Sequence, residues 1–234
     1  MHTPQALAPL QGISSMATRA LLAQLLASYQ LASGQAVDML SIGGVDALKR
    51  VQANEAFDVA VLGSDAIAKL VASGHAQANS VTPLVRSGVA VAVRAGSALP
   101  DLSNEAAVKA AVLAAPSISY STGPSGVALA QLFERWGIAQ VMAQRTITPP
   151  PGTPVASVIT SGQAALGFQQ LSELLNVSGI TIAGPLPDDI QITTVFSACV
   201  LCSAQQPERS AHLLAYLASP NADAAKRAQG MTPA

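Results

Sequence analysis

Aromatic side chains, formal charge and cysteine are all scarce in this 234-residue chain. Only 3% of the residues are aromatic and 11% charged, while 50% are hydrophobic. A buried core therefore has to be assembled from Ala, Val, Leu and Ile rather than from rings, and an intrinsically disordered chain is excluded. Twelve Lys and Arg against thirteen Asp and Glu leave a net charge of −1. That balance exerts no global pull toward nucleic acid, an anionic membrane or an acidic partner, so no nucleic-acid partner is expected. Two cysteines, Cys199 and Cys202, are too few for a disulfide scaffold or an all-thiolate zinc site. Their C-x-x-C spacing falls in a continuous β-type run, which sends the side chains to opposite faces with no helix start behind them, so both read as structural. His2, His75 and His212 lie far apart without carboxylate or thiol at ligand spacing, and no metal is expected.

Long apolar runs are missing too. The mean hydropathy is +0.40, yet Gly, Ser, Gln or a charge interrupts every run before the roughly 18 residues that a membrane span needs. The opening MHTPQALAPLQG has no Lys or Arg and no continuous apolar stretch, which is not the pattern of a secretory signal. The expectation is a cytoplasmic protein if Met1 is the native start, and a periplasmic one if a leader has been removed. Neither G-x-G-x-x-G nor G-x-x-x-x-G-K-[ST] occurs, so no nucleotide cofactor is expected, and no other cofactor is implied.

What is present is an alternation of short β-type runs with helical ones. Ser15 to Ser33 places Ala17, Leu21, Leu22, Leu25, Leu26 and Tyr29 at helical spacing and ends at Gly34. VDMLSI, GVDALKRVQ, DVAVLG and SDAIAKLVASG follow, and the beat resumes with SISYS, SGVALAQLFERWG and AALGFQQ leading into LSELL. Strands separated by helices of this length indicate βαβ units and mainly parallel, mixed sheets, an α/β fold class. Two β-rich runs break the pattern, Val81 to Gly96 and Gln191 to Ala204. The first is too long for one ordinary strand and is interrupted by Pro83 and Ser87-Gly88. Read as a pair of crossovers, they divide the chain into a discontinuous first lobe, residues 1–83 plus 196–234, and a second lobe, residues 84–195, with a ligand cleft between them. The Pro149-Pro150-Pro151-Gly152 run is a stiff loop ahead of a helix.

The residues at the strand ends carry the chemistry. Gly12-Ile13-Ser14-Ser15, Ser41-Ile42-Gly43-Gly44, Gly63-Ser64-Asp65 and Ser121-Thr122-Gly123-Pro124-Ser125-Gly126 are small, hydroxyl-bearing and placed to start helices. Open α/β sheets bind ligands at the carboxyl ends of their strands, where helix starts offer free N–H groups and partial positive charge. Such loops suit an anion held by neutral donors. Each Ser also has an ordinary reading as a helix N-cap.

The layout resembles the type II periplasmic binding protein fold, and within it the molybdate-binding proteins of ABC transporters. The residues that carry the likeness are the Ser-bearing first loop, FDVAVLGSDAIAKLVASG, VRSGVAVAVRAG, SISYSTGPSGV and LGFQQLSELLNVSGITIAGPLPDDIQITTVFSA. This resemblance implies an oxyanion or carboxylate ligand contacted by Ser14 or Ser15, Ser41, Ser64, Ser125, Gly126 and Gln170, with Gly43 and Ser121 in the same loops. Molybdate binders of the family usually have a Tyr where Gln170 falls, so that contact changes in length and chemistry. SISYSTGPSGV and GFQQLSELL are also similar to aconitate isomerase, an enzyme built on this fold. Moving a proton at an allylic carbon requires a base, and several carboxylates require neutralising. Glu173 or Tyr120 could handle the proton, and Arg86 or Arg94 could meet the carboxylates. The ordinary readings place Glu173 on a water-facing helix surface, Tyr120 half-buried on its strand and Arg86 as a bridge between lobes. The expected partners are a small anionic ligand and, for an exported chain, an ABC transporter membrane component. A monomer is expected.

Overall fold

The computed structural model describes residues 8–150 and 152–234. His2 and Pro151, and with them the centre of the proline run, lie outside this range. The chain divides into two compact units, Met1–Val85 with Val195–Ala234, and Arg86–Thr194. It passes from one to the other inside two strands, β4 (Thr82–Arg94) and β9 (Thr193–Val200).

In the first unit, β1 (Leu10–Ser15), β2 (Val37–Ile42) and β3 (Val59–Gly63) run parallel in the order β2-β1-β3, and β9 lies antiparallel on β3. Strand alternation sorts the side chains to two layers. Leu10, Val59 and Val61 face one cluster with Leu21, Leu22 and Leu25 of α1 (Arg19–Ser33) and Leu213 and Leu214 of α9 (Pro207–Ala218). Ile13, Ala60 and Leu62 face the other, with Ala47 of α2 (Gly44–Gln52) and Ile67 of α3 (Ser64–Ala72). Helix α1 ends where Gly34 takes the left-handed conformation, φ 72°. The unit closes with α10 (Asp223–Ala228) and β10 (Met231–Pro233), which pairs with β4.

The second unit contains α4 (Glu105–Ala114), β5 (Ile118–Tyr120), α5 (Pro124–Arg135), α6 (Ala139–Ala143), β6 (Thr146–Ile147), α7 (Val155–Thr160), β7 (Leu166–Gln170), α8 (Leu171–Leu174) and β8 (Ile180–Pro185). β7 and β8 pair antiparallel with β4, while β5 is parallel to both β6 and β7. Four of the chain's eight rings gather on one face of this sheet, where Phe133 contacts Tyr120, Trp136 and Phe168 at centroid distances of 6.0, 5.9 and 6.4 Å. The opposite face packs Ala90 and Ala92 on Val155, Ala156 and Ile159. Helix α4 starts with a true side-chain cap, Asn104 accepting from the Ala107 N–H at 3.0 Å. Asn104→Ala is expected to lower stability by about 1 kcal/mol, measured as a drop in denaturant midpoint.

Two expectations need correction. The run from Val81 is one 13-residue strand, β4, rather than an interrupted one. Pro83 lies beside the strand's first residue, and Gly88 lets the Gln191 amide pack where a Cβ would stand 3.2 Å away. The second run is strand only as far as Val200, so Cys202 is exposed on a turn while Cys199 is buried in β9. Both are free, and burial pushes the Cys199 thiol up to about 12, which removes it from thiolate chemistry.

Candidate functional site

In the first unit, parallel pairing sets Ser14 of β1 opposite Ser41 of β2, and their hydroxyls hydrogen-bond at 2.8 Å. Ser14 is fully buried. Both serines lie inside their strands rather than in the loops after them, because the register continues to Ser15 and Ile42. Ser15 points to the other face, where a Cβ on Gly44 would stand 3.8 Å from its hydroxyl.

Nor do these serines cap the helices. Gly43 and Gly63 are the N-cap residues of α2 and α3, and neither makes a side-chain cap. Ser64, the first residue of α3, donates to the Val195 carbonyl at 3.1 Å and pairs with the Ser197 hydroxyl at 2.8 Å. The hydroxyls therefore form Ser–Ser pairs at the carboxyl edge of the strands. Asp46 and Asp65 occupy the first turns of α2 and α3 and meet the positive helix ends themselves.

In the second unit, α5 begins after Gly123 with Pro124 at its first turn, no side-chain cap and no acid in that turn. Its N–H groups and partial positive charge are uncompensated. Ser125 and Gly126 are buried there. A Cβ on Gly126 would stand 1.7 Å from the Ser121 carbonyl oxygen and 3.2 Å from Tyr120 Cδ2, so the loop folds onto the helix start only because residue 126 has no side chain. One turn of chain thus brings together Tyr120, Ser121, Ser125 and Gly126. Tyr120 is half-buried, its ring edge-on to Phe133. Arg86 is exposed on β4 with no hydrogen bond or ion pair among the described residues.

At the end of β7 the two glutamines part. Gln170 is buried and donates from Nε2 to Thr194 Oγ1 at 2.9 Å, while its Oε1 is buried without a partner among the described residues. Gln169 points the other way, toward α7, accepting from the Val155 N–H at 3.1 Å and donating to Glu173 Oε2 at 2.7 Å. Glu173 is half-buried rather than water-facing. Burial pushes its carboxyl up to about 7, partly opposed by the Gln169 hydrogen bond. Since Tyr120 packs in the Phe133 cluster and Glu173 is tied to Gln169 and the start of α7, the two candidate proton-transfer groups occupy opposite faces of the sheet and are not brought together.

Comparison with known proteins gives these edges a context. Residues 10–232 match the bacterial extracellular solute-binding proteins. The chain belongs to that family. The periplasmic molybdate-binding protein of Azotobacter vinelandii superposes with a TM-score of 0.80 over 95% of this chain and 98% of its own, at 20% identity. A tungstate-binding protein from Desulfovibrio alaskensis superposes with a TM-score of 0.68 over 97% and 99%, at 16% identity. At these identities the likeness shows the fold. In sequence, a Pseudomonas protein named aconitate isomerase is 39% identical over 213 residues, spanning 88% of this chain and 80% of that protein.

As a solute-binding-family chain, this one has polar groups that its sequence did not single out: Gln169, Thr194, Ser197 and the Val155 N–H. Gln169-Gln170 closing the apolar Leu166-Gly167-Phe168 was a readable signal. Thr194 and Ser197 were not readable, because their relevance comes from strand partners distant in sequence.

Proposed function

We propose that this chain binds a small organic anion bearing carboxylates, with its hydroxyl-bearing strand ends and the Ser121–Gly126 loop as the candidate contacts. The observation that carries this reading is the state of the serines. Ser14 with Ser41 and Ser64 with Ser197 pair at 2.8 Å rather than capping a helix, and α5 begins uncapped and without an acid. Paired hydroxyls can each redirect a proton toward an incoming oxygen, and a bare helix start favours negative charge. The exposed Arg86 adds one cation. Family membership supports a role outside the cytoplasm, and in transport the partner would be an ABC transporter membrane component.

The test is thermal denaturation with molybdate, sulfate, citrate and cis- and trans-aconitate. A bound anion at about 1,000 times its Kd stabilises by about 4 kcal/mol. Ser14→Ala and Ser125→Ala are each expected to remove much of that shift. The reading fails if no anion moves the transition.

A second reading, an isomerase acting on an unsaturated carboxylate without a cofactor, is favoured by a specific observation. Glu173 is half-buried with the Gln169 amide 2.7 Å from its Oε2, and burial pushes its carboxyl up to about 7, so near neutrality it is divided between the forms that accept and return a proton. The 39% identity to a protein named aconitate isomerase supports this assignment. In such a reaction the carboxylate removes an allylic proton and the resulting acid returns it to the other end of the allylic system. NMR of either aconitate isomer with the purified chain decides it, and no interconversion at high protein concentration disposes of that substrate.

A further inference from the structure

Gln169 is a buried amide, 3% exposed, whose two ends have different fixed partners. The Val155 N–H can only donate, so the atom 3.1 Å from it has to be the oxygen, Oε1. That contact fixes the amide's orientation and leaves Nε2 to donate to Glu173 Oε2 at 2.7 Å. Gln169 and Glu173 lie four residues apart across the turn from β7 into α8. On either side of Glu173, Leu171 and Leu174 of α8 pack with β4, α7 and β8. The only charged residues on those elements are Arg86 and Arg94 of β4, and neither forms an ion pair with Glu173 among the described residues. Among the described residues no cation pairs with the carboxylate, and the neutral amide is its polar partner at 2.7 Å.

We propose that Gln169 is a positioning residue for Glu173, tethering Oε2 to the first turn of α7 so that Oε1 is the oxygen that exchanges a proton with the ligand. This rests on the second reading above, in which Glu173 transfers the proton. The tether has an electrostatic consequence as well as a geometric one. An N–H aimed at a carboxylate favours its charged form, so Gln169 opposes the burial that would otherwise keep Glu173 protonated through neutrality.

The experiment titrates Glu173 directly in the full chain, by NMR of 13C-labelled glutamate side chains, with the resonance assigned by its loss in Glu173→Gln. Gln169→Leu removes both contacts. Gln169→Glu keeps an acceptor for the Val155 N–H but replaces the donor facing Glu173 with a second carboxyl. In both variants the Glu173 midpoint is expected to rise by about one pH unit, the scale of one hydrogen bond to a charged group. The acid limb of any turnover is expected to move with it, which a merely structural glutamine would not cause. An unchanged midpoint in a variant that keeps its circular dichroism and Tm overturns the proposal. If Gln169→Leu does not fold, Gln169→Glu decides alone. The isomerase reading is judged separately by the unsubstituted chain: if it interconverts no substrate while the variants shift the midpoint, the tether stands and the reading falls.

Discussion

Glu173→Gln is expected to make the chain more stable at pH 8 by about 3 kcal/mol, to leave its stability at pH 4 unchanged, and to abolish any isomerase turnover. The sign follows from proton linkage. The folded carboxyl is raised from 4.5 to about 7, so between those values the folded state holds a proton that the unfolded state has released. Stability then falls with rising pH, and the contribution present below 4.5 is gone above about 7. A displacement of that size corresponds to about 3 kcal/mol. Glutamine is the neutral isostere, and its side-chain oxygen can still accept from Gln169 Nε2, so it keeps the contact without the buried charge. In a chain of this length the gain at pH 8 is about 10 °C in Tm. Thermal scans of both proteins from pH 4 to 8 check this. Parallel curves, with no divergence above pH 5, would mean that Glu173 is not held in a desolvating environment. A gain in stability with a loss of turnover would mark a group kept at a cost for its chemistry.

Gly126→Ala is the second substitution with a large expected effect. The new methyl carbon would stand 1.7 Å from the Ser121 carbonyl oxygen, and backbone atoms cannot swing aside as a side-chain tip can. The Ser121–Pro124 segment has to move away from the start of α5, carrying the Ser121 hydroxyl out of place and loosening Ser125. Overpacking of this kind costs about 3 kcal/mol, and the anion-dependent rise in Tm is expected to disappear with it. Val127→Ala, one residue further at an exposed position of α5, is the control and should change stability by less than about 0.5 kcal/mol. The idea fails if Gly126→Ala keeps the parent's Tm and anion response.

Much of this architecture was legible from the chain. Helical spacing of Leu21, Leu22, Leu25 and Leu26 located α1, and Gly34 located its end, because both depend on local geometry. Alternating β and helical runs implied the βαβ units, since each apolar face must be buried against the next element. Reading Ser14 and Ser41 as loop residues went astray for a physical reason. Nothing local distinguishes a serine at a strand's last turn from one just after it; the β1–β2 register decides, and that is set by pairing across 27 residues.

Glu173 shows the same division more sharply. In sequence it is one acid in a short polar-apolar stretch, Leu171-Ser172-Glu173-Leu174, with every right to face water. Its raised pKa arises from burial, opposed in part by a Gln169 amide whose direction is fixed by the start of α7. Burial and hydrogen-bond direction are properties of neighbours brought together by folding, so no reading of the local sequence could supply them.

By itself, then, the sequence determined an α/β chain with few rings and little charge, its small polar residues concentrated at strand ends, since composition and periodicity act locally. Only the tertiary structure decided which serines pair, that α5 begins uncapped against the Ser121 carbonyl, and that one glutamate is held near neutrality. Those features depend on register, desolvation and the meeting of distant segments, which exist only once the chain has folded.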